Sequence, residues 1–181
     1  MLMVAFTSAL LLTIVYHTTK GPIQKAQDKM IAESIIKVIS TPYDNDPFAE
    51  KIEIRQGRNL FALYPARLDG YVTSIIMKSK STKGFGGDID ILVGFLMDGS
   101  ISGYKVVKHK ETPGLGSKVD EDTFKKNIIG KNPADPLFKV KQDGGEVDAV
   151  TGATISSRAI IDAVKKAYKG YLKFNAVKID E

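Results

Sequence analysis

The sequence predicts an α+β fold in which antiparallel strands with flanking helices follow a single N-terminal transmembrane helix. Three observations carry that expectation. The opening run MLMVAFTSALLLTIVY holds no charge. The middle of the chain alternates β-rich runs with glycine turns, among them Asp98-Gly99. The end carries apolar residues at helical spacing from Ile160 to Leu172. Strands, intervening helices and at least one hairpin, in this order, are the signature of an α+β domain.

Extended to Thr19, the opening run makes a helix of about 28 Å at about 1.5 Å per residue, against a bilayer core of about 30 Å. A cleaved signal peptide needs a basic start and a small-residue cleavage site. Tyr16-His17-Thr18-Thr19-Lys20 offers no such site, and no basic residue precedes the run. A buried soluble helix would show a polar face, and this one has none. The expectation is an uncleaved anchor in the lipid bilayer over residues 1–20. Tyr16 suits the interface, and Lys20 and Lys25 follow it; by the positive-inside rule these lysines favour a cytoplasmic domain.

Gly21-Pro22 is expected to break or bend the chain after the anchor. Ile23, Ala26, Met30, Ile31, Ile35, Val38 and Ile39 then recur at three- and four-residue steps, which predicts an amphipathic helix over 22–39. With the turn-rich TPYDNDP behind it, residues 21–48 read as helix and linker, and 49–181 as one domain. Strands are expected at 51–56, 59–64, 71–80, 88–97 and 101–109, with a hairpin at Asp98-Gly99. Between two of them, Lys83–Gly87 (KGFGG) allows a tight turn or a close backbone approach. A short helix over 120–129 capped by Asp120 or Asp122, a loop at 132–136, a Gly144-Gly145 turn and a short strand at 146–150 follow. The closing helix is expected over 156–174. Ile160, Ala163, Val164, Ala167, Tyr168, Tyr171 and Leu172 form its apolar face, and its lysines lie mostly opposite.

Composition bounds the chemistry. Hydrophobic residues make up 43% of the chain, enough for a core. The net charge of +5 is diffuse, with no basic stripe interleaved with aromatics, so nucleic acid is not an expected partner. The absence of Cys excludes thiolate-ligated clusters, thiol catalysis and disulfides within this chain. His17 and His109 lie far apart, and no carboxylate dyad stands out, so neither a metal site nor a catalytic residue is predicted. His109 reads as an exposed strand end, and Tyr71 and Tyr104 as core or sheet-face residues.

The run that carries chemistry is Asp148-Ala149-Val150-Thr151-Gly152-Ala153-Thr154, followed by Ile155-Ser156-Ser157. It reads as a strand, a small-residue turn and a helix start. Free amides and the positive end of the helix dipole make such a place an anion site. Ser156 or Ser157 can cap first-turn amides or touch a phosphate. Gly152 and Ala153 leave room for a bulky group, and Thr154 offers a hydroxyl at the mouth. A second run, Glu111-Thr112-Pro113-Gly114-Leu115-Gly116, follows the hairpin; Pro113 stiffens it and its glycines allow close backbone approach.

DAVTGAT resembles the flavinylation motif of the FMN-binding domain family found in the RnfG and NqrC proteins of ion-translocating respiratory complexes. Asp148, Thr151, Gly152, Ala153 and Thr154 all match. ETPGLG resembles the loop that lies against the flavin in the same family. The resemblance covers nearly the whole chain and is closer to the RnfG branch, because the longer insertions expected of NqrC are missing. It implies FMN joined covalently to Thr154 as a phosphoester, which makes the chain a flavoprotein and formally a phosphoprotein. It implies an electron-transfer role in a membrane complex of the ferredoxin:NAD type, without independent catalysis. Implied partners are other membrane subunits, one of them also flavinylated, iron–sulfur subunits, and a flavin transferase during maturation. It implies a soluble domain on the extracytoplasmic side of the inner membrane, against the reading of the two lysines. Glu111 to Gly116 would lie near the flavin, with Thr112 and Leu115 on the ring. Asp148 and Thr151 either meet the transferase or shape the turn. Two other readings stay open: an anchored, non-redox domain that binds a phosphate-bearing ligand noncovalently, and a flavin domain serving a separate reductase.

Overall fold

The computed structural model describes residues 2–56 and 59–179. The chain divides into two compact units, Met1–Glu33 and Ser34–Glu181.

The first unit is helical, and its helix α1 (Leu2–Val38) continues into the start of the second. Apolar side chains from Met3 to Val15 stand exposed around the helix. The polar residues among them turn inward: Thr7 and Thr13 donate their hydroxyls to carbonyls three or four residues earlier, as do Thr18 and Thr19. Among the described residues, no helix is long and apolar enough to cross a membrane. The expected span over residues 1–20 is therefore not met by the described helix. His17, Thr18, Thr19 and Lys20 end the uncharged apolar run, and residues 3–16 rise only about 21 Å as a helix.

The expected break at Gly21-Pro22 is also absent, because Pro22 lies inside α1. Proline costs one backbone hydrogen bond, and its ring crowds the carbonyl four residues earlier and the Cβ and N–H of the residue before it. Gly21 has no Cβ, which removes part of that clash.

The second unit is built on an antiparallel meander whose spatial order is its sequence order: β1 (Ile52–Gln56), β2 (Asn59–Leu68), β3 (Tyr71–Ser81), β4 (Ile89–Leu96) and β5 (Ile101–Lys108). Period-two alternation decides the faces. Ile75, Met77, Val93, Phe95 and Tyr104 point to one side, where they meet Ile160, Ala163, Val164, Ala167 and Tyr171 of the closing helix in one buried core. Tyr104 is thus a core residue, whereas Tyr71 sits exposed at the β2–β3 turn. On the opposite face the last turn of α1 presses on two paired glycines, Gly94 and Gly103. A Cβ on Gly94 would lie 2.9 Å from Val38 Cγ1.

Several expected elements shift for identifiable reasons. β2 runs four residues past Tyr64, through Pro65. Pairing with β1 ends at Leu63, so Pro65 faces no β1 residue and owes no ladder bond on that side. The segment at Asp44 and Asn45 covers that edge instead, and Asn45 accepts the Arg67 amide. The helix expected over 120–129 becomes a 3-10 turn at Gly116–Asp120 and a single-turn helix, α2 (Asp122–Lys125). Asp120 is not its cap, because its carboxylate is taken by Lys105, Lys125 and the Val106 amide. Glu121 stands at the cap position and makes no side-chain bond there. The strand expected at 146–150 is reduced to one parallel bridge, Val140 to Val147. The closing helix, α3 (Thr154–Ile179), begins two residues earlier than expected, and Leu172 is exposed rather than buried.

Phe95 is fully buried and rests on Tyr171, with ring centroids 5.1 Å apart. Phe95→Ala should destabilise the domain by about 3–5 kcal/mol, read as a drop in the urea midpoint at unchanged slope.

Candidate functional site

A meander sends alternate loops to the same end of its sheet. β3 and β5 run in the same direction, so the loop after β3 (residues 82–88) and the loop after β5 (109–115) emerge side by side. α3 is fastened to that end of the sheet by two serines. Ser79 donates to the Ala163 carbonyl at 2.8 Å, and Ser81 to Asp162 at 2.7 Å. KGFGG, ETPGLG and the turn before α3 therefore meet.

Glu111 joins them. Its carboxylate is 5% exposed. One oxygen accepts the Gly86 amide at 3.0 Å, and the other accepts the hydroxyl of Ser156. The backbone closes tightly around this group. A Cβ on Gly84 would stand 2.6 Å from Glu111 Oε1, and one on Gly116 would stand 2.5 Å from Oε2. A Cβ on Gly86 would lie 1.9 Å from the Lys110 carbonyl oxygen. His109, exposed at the strand end, accepts the Glu111 amide at Nδ1, 3.1 Å away.

The turn before α3 is sharp because Gly152 takes φ +77, a left-handed conformation that favours glycine. Ala153 occupies the cap position: its carbonyl accepts the Ser157 amide at 3.0 Å. An alanine side chain accepts no hydrogen bond, so it leaves the first-turn amides of Thr154, Ile155 and Ser156 without a side-chain cap. The two serines have different duties from those expected. Ser156 is buried and holds Glu111. Ser157 is buried too, donating to the Ala153 carbonyl and accepting the Val150 amide. Neither hydroxyl caps a first-turn amide.

These segments enclose a cleft of about 290 Å³, and Thr154, half-buried, is in its wall. Of the residues expected at the site, Glu111, Thr112, Leu115, Gly116, Gly152, Ala153, Thr154 and Ser156 line it. Pro113, Gly114 and Ser157 do not. Asp148 and Thr151 line a separate cleft with Lys118, Glu121 and Phe124, and Asp148 pairs with Lys141 at 2.7 Å. Phe85 and Ile155 also line the first cleft, although neither stands out in the sequence. A signal for Phe85 exists there: it is the one large residue inside KGFGG. A flat ring with a phosphate tail fits the donor set. The walls are largely apolar, glycines keep the floor low, and an uncapped helix start is in the wall.

Beside the cleft, Asp162 ties α3 to the KGFGG loop through Lys83 and also receives Lys166 and Ser81. Burial pushes its carboxyl up, but the hydrogen bonds from Lys166, Lys83 and Ser81 outweigh it and hold the group at about 2.

The FMN-binding domain family matches residues 84–169. The chain is 33% identical over 175 residues to RnfG of the ion-translocating oxidoreductase complex of Vibrio cholerae, covering 90% of this chain and 83% of that one. The Pseudomonas aeruginosa protein of the same name is 32% identical over 170 residues, covering 88% and 79%. Among solved structures, NqrC of the Na+-translocating NADH-quinone reductase from Parabacteroides distasonis superposes with a TM-score of 0.58 at 19% identity. That superposition covers 83% of this chain and 94% of that one, a likeness of fold. NqrC from Shewanella oneidensis gives 0.51 at 27% identity, over 64% and 62%.

This geometry has consequences for stability that can be measured. Glu111→Leu leaves the Ser156 hydroxyl and the Gly86 amide without their partner, and should cost about 1–3 kcal/mol in urea unfolding. Hydrogen exchange at Gly86 should accelerate at the same time. Asp162 has a folded value below its unfolded one, so its stabilisation is present above about pH 4 and is lost as pH falls towards 2. Asp162→Asn should cost about 1 kcal/mol at pH 7 once solvent screening is allowed for. Unfolding curves of the two proteins should converge as the pH is lowered towards 2.

Proposed function

We propose, because the chain belongs to the RnfG family of ion-translocating oxidoreductase complexes and matches the FMN-binding domain, that it is a flavin-carrying electron-transfer subunit of such a complex, with FMN joined through its phosphate to Oγ1 of Thr154. The observation that carries this reading is the position of Thr154. It is the first residue of α3, behind the left-handed Gly152, in the wall of a largely apolar cleft. In attachment, the Thr154 oxygen bonds to phosphorus while a P–O bond of an activated flavin donor breaks and the hydroxyl proton leaves. A flavin transferase carries out that step.

The bound flavin supplies reversible electron uptake and release. This chain would hold it. The first-turn amides and dipole of α3 would receive the phosphate. Thr112 and Leu115, which line the cleft, would support the ring, and Glu111 fixes the loop that carries them. No cleft residue is required as an acid or base, so independent catalysis is not expected. The complex is of the ferredoxin:NAD type, and its other membrane subunits, one of them flavinylated, and its iron–sulfur subunits are the exchange partners.

In this reading the uncharged apolar stretch that opens α1 holds the chain at the inner membrane, although too short by itself for a full span, with the domain on the extracytoplasmic side. Support comes from the exposed apolar side chains of the first part of α1 and from the threonines that satisfy their hydroxyls within the helix, as a lipid environment demands. The competing reading, a domain that grips a phosphate-bearing ligand noncovalently, would rest on the uncapped start of α3 alone for its charge, since none of the described residues that line the cleft is Lys or Arg.

The test is the mass of the tryptic peptide spanning Gln142 to Arg158 from protein made together with a flavin transferase. It should carry FMN in the parent and in Thr154→Ser, and none in Thr154→Ala. An adduct that persists in Thr154→Ala, on Thr151 or Ser156, would move the attachment. A parent peptide without any adduct would remove the reading.

A further inference from the structure

The flavin site proposed above leaves one large side chain without a role. Phe85 lines the cleft of Thr154, yet its ring is 71% exposed. A single exposed aromatic is ordinary on a protein surface. Three features separate this one from that background.

First, its backbone is fixed. Gly84 and Gly86 flank it, and both lie flush on the 110–111 segment, where a Cβ at either position would collide with Glu111 or the Lys110 carbonyl. The Gly86 amide is held by Glu111 at 3.0 Å. The ring is thus carried on a short, pinned arch rather than a loose loop.

Second, the same carboxylate that pins the arch holds Ser156 in the first turn of α3. The distance between Phe85 and Thr154 is therefore set by one group.

Third, Phe85 does not stand alone. Leu115, 43% exposed, and Ile155, 47% exposed, line the same cleft. Three apolar side chains left in water around one opening form a slot for a flat apolar body. Aromatic faces favour offset stacking on such a body.

We propose that Phe85 is a cofactor-binding residue that stacks on the isoalloxazine ring, presented by the Glu111 clamp, with Leu115 and Ile155 as the apolar complement of the slot. This rests on the attachment of FMN to Thr154.

The experiment uses the full chain loaded with FMN by a flavin transferase, with the Gln142–Arg158 peptide mass taken for each variant. In Phe85→Trp an indole at stacking distance donates an electron to the excited flavin, so emission per bound flavin should fall several-fold. Leu172→Trp, exposed near the other end of α3, should keep the parental emission. In Phe85→Ala the flavin should become several-fold more accessible to quenching by iodide, and Phe85→Tyr should restore the protection. If FMN is on Thr154 and Phe85→Trp emits as brightly as the parent, the stacking is overturned and the attachment stands. If the parent peptide carries no FMN, the attachment fails and the stacking falls with it.

Discussion

A buried carboxylate holds the functional end of this domain together. Burying an ionised group is expensive unless it is hydrogen-bonded, and Glu111 meets that condition by gathering donors from two other segments. The Gly86 amide lies 25 residues before it, and the Ser156 hydroxyl 45 residues after it. The three segments are distant in the chain and have no regular ladder between them, so the carboxylate does the work a strand pairing does elsewhere in the sheet. The glycines nearby follow from the same constraint. Gly116 has no room for a Cβ because the carboxylate stands in its place, Gly84 has none because the Gly87 carbonyl and the carboxylate both crowd it, and Gly86 has none because the loop rests on the Lys110 carbonyl.

That clamp works only because α3 arrives at the right height. Ala159, Ala163, Ala167 and Gly170 give the helix a buried face of small residues. At Gly170 even a methyl group would stand 2.6 Å from Met77 Cε. The helix therefore lies close against β3 and β4, and Ser79, Ser81 and Asp162 fix its position along the strand. The start of α3 has no freedom to slide away from the loops after β3 and β5. Small residues for proximity, hydroxyls for register and one acid for closure form a single chain of dependence from the sheet to Thr154.

How far this was legible in the sequence depends on which physics carried each part. Alternation exposed β1, β-rich runs between turn signals exposed the other strands, and the spacing of Ile160, Ala163, Val164 and Ala167 exposed α3. Local rules failed where tertiary contacts overruled them. Pro65 argued for the end of a strand, but a strand edge without a partner tolerates it. Gly21-Pro22 argued for a break, but glycine before proline removes part of the clash. Residues 116–150 follow neither period, because their geometry rests on side-chain ties such as Asp120 with Lys105 and Lys125. At the site, the small-residue turn and ETPGLG were visible as motifs. The duties of Ser156 and Ser157 were not, because a helix start two residues earlier turns both hydroxyls inward. Phe85 was hidden for a related reason: its meaning comes from a clamp 25 residues away, not from its neighbours.

The composition of the cleft bears on the proposed attachment to Thr154. A helix start contributes about half a positive charge, worth roughly 0.3–1 kcal/mol to an anion near the surface. Without Lys or Arg in the wall, that is a weak hold on a doubly charged phosphate. The apolar slot adds attraction for a ring, but it is open on one side. Closing it, or adding cations, would strengthen noncovalent binding and, in the proposed reading, would also bury the edge through which electrons would pass or retune the flavin with fixed charge. In the proposed reading a covalent bond to Thr154 would separate the two demands: retention would not depend on the walls, so they could stay apolar, open and free of cations.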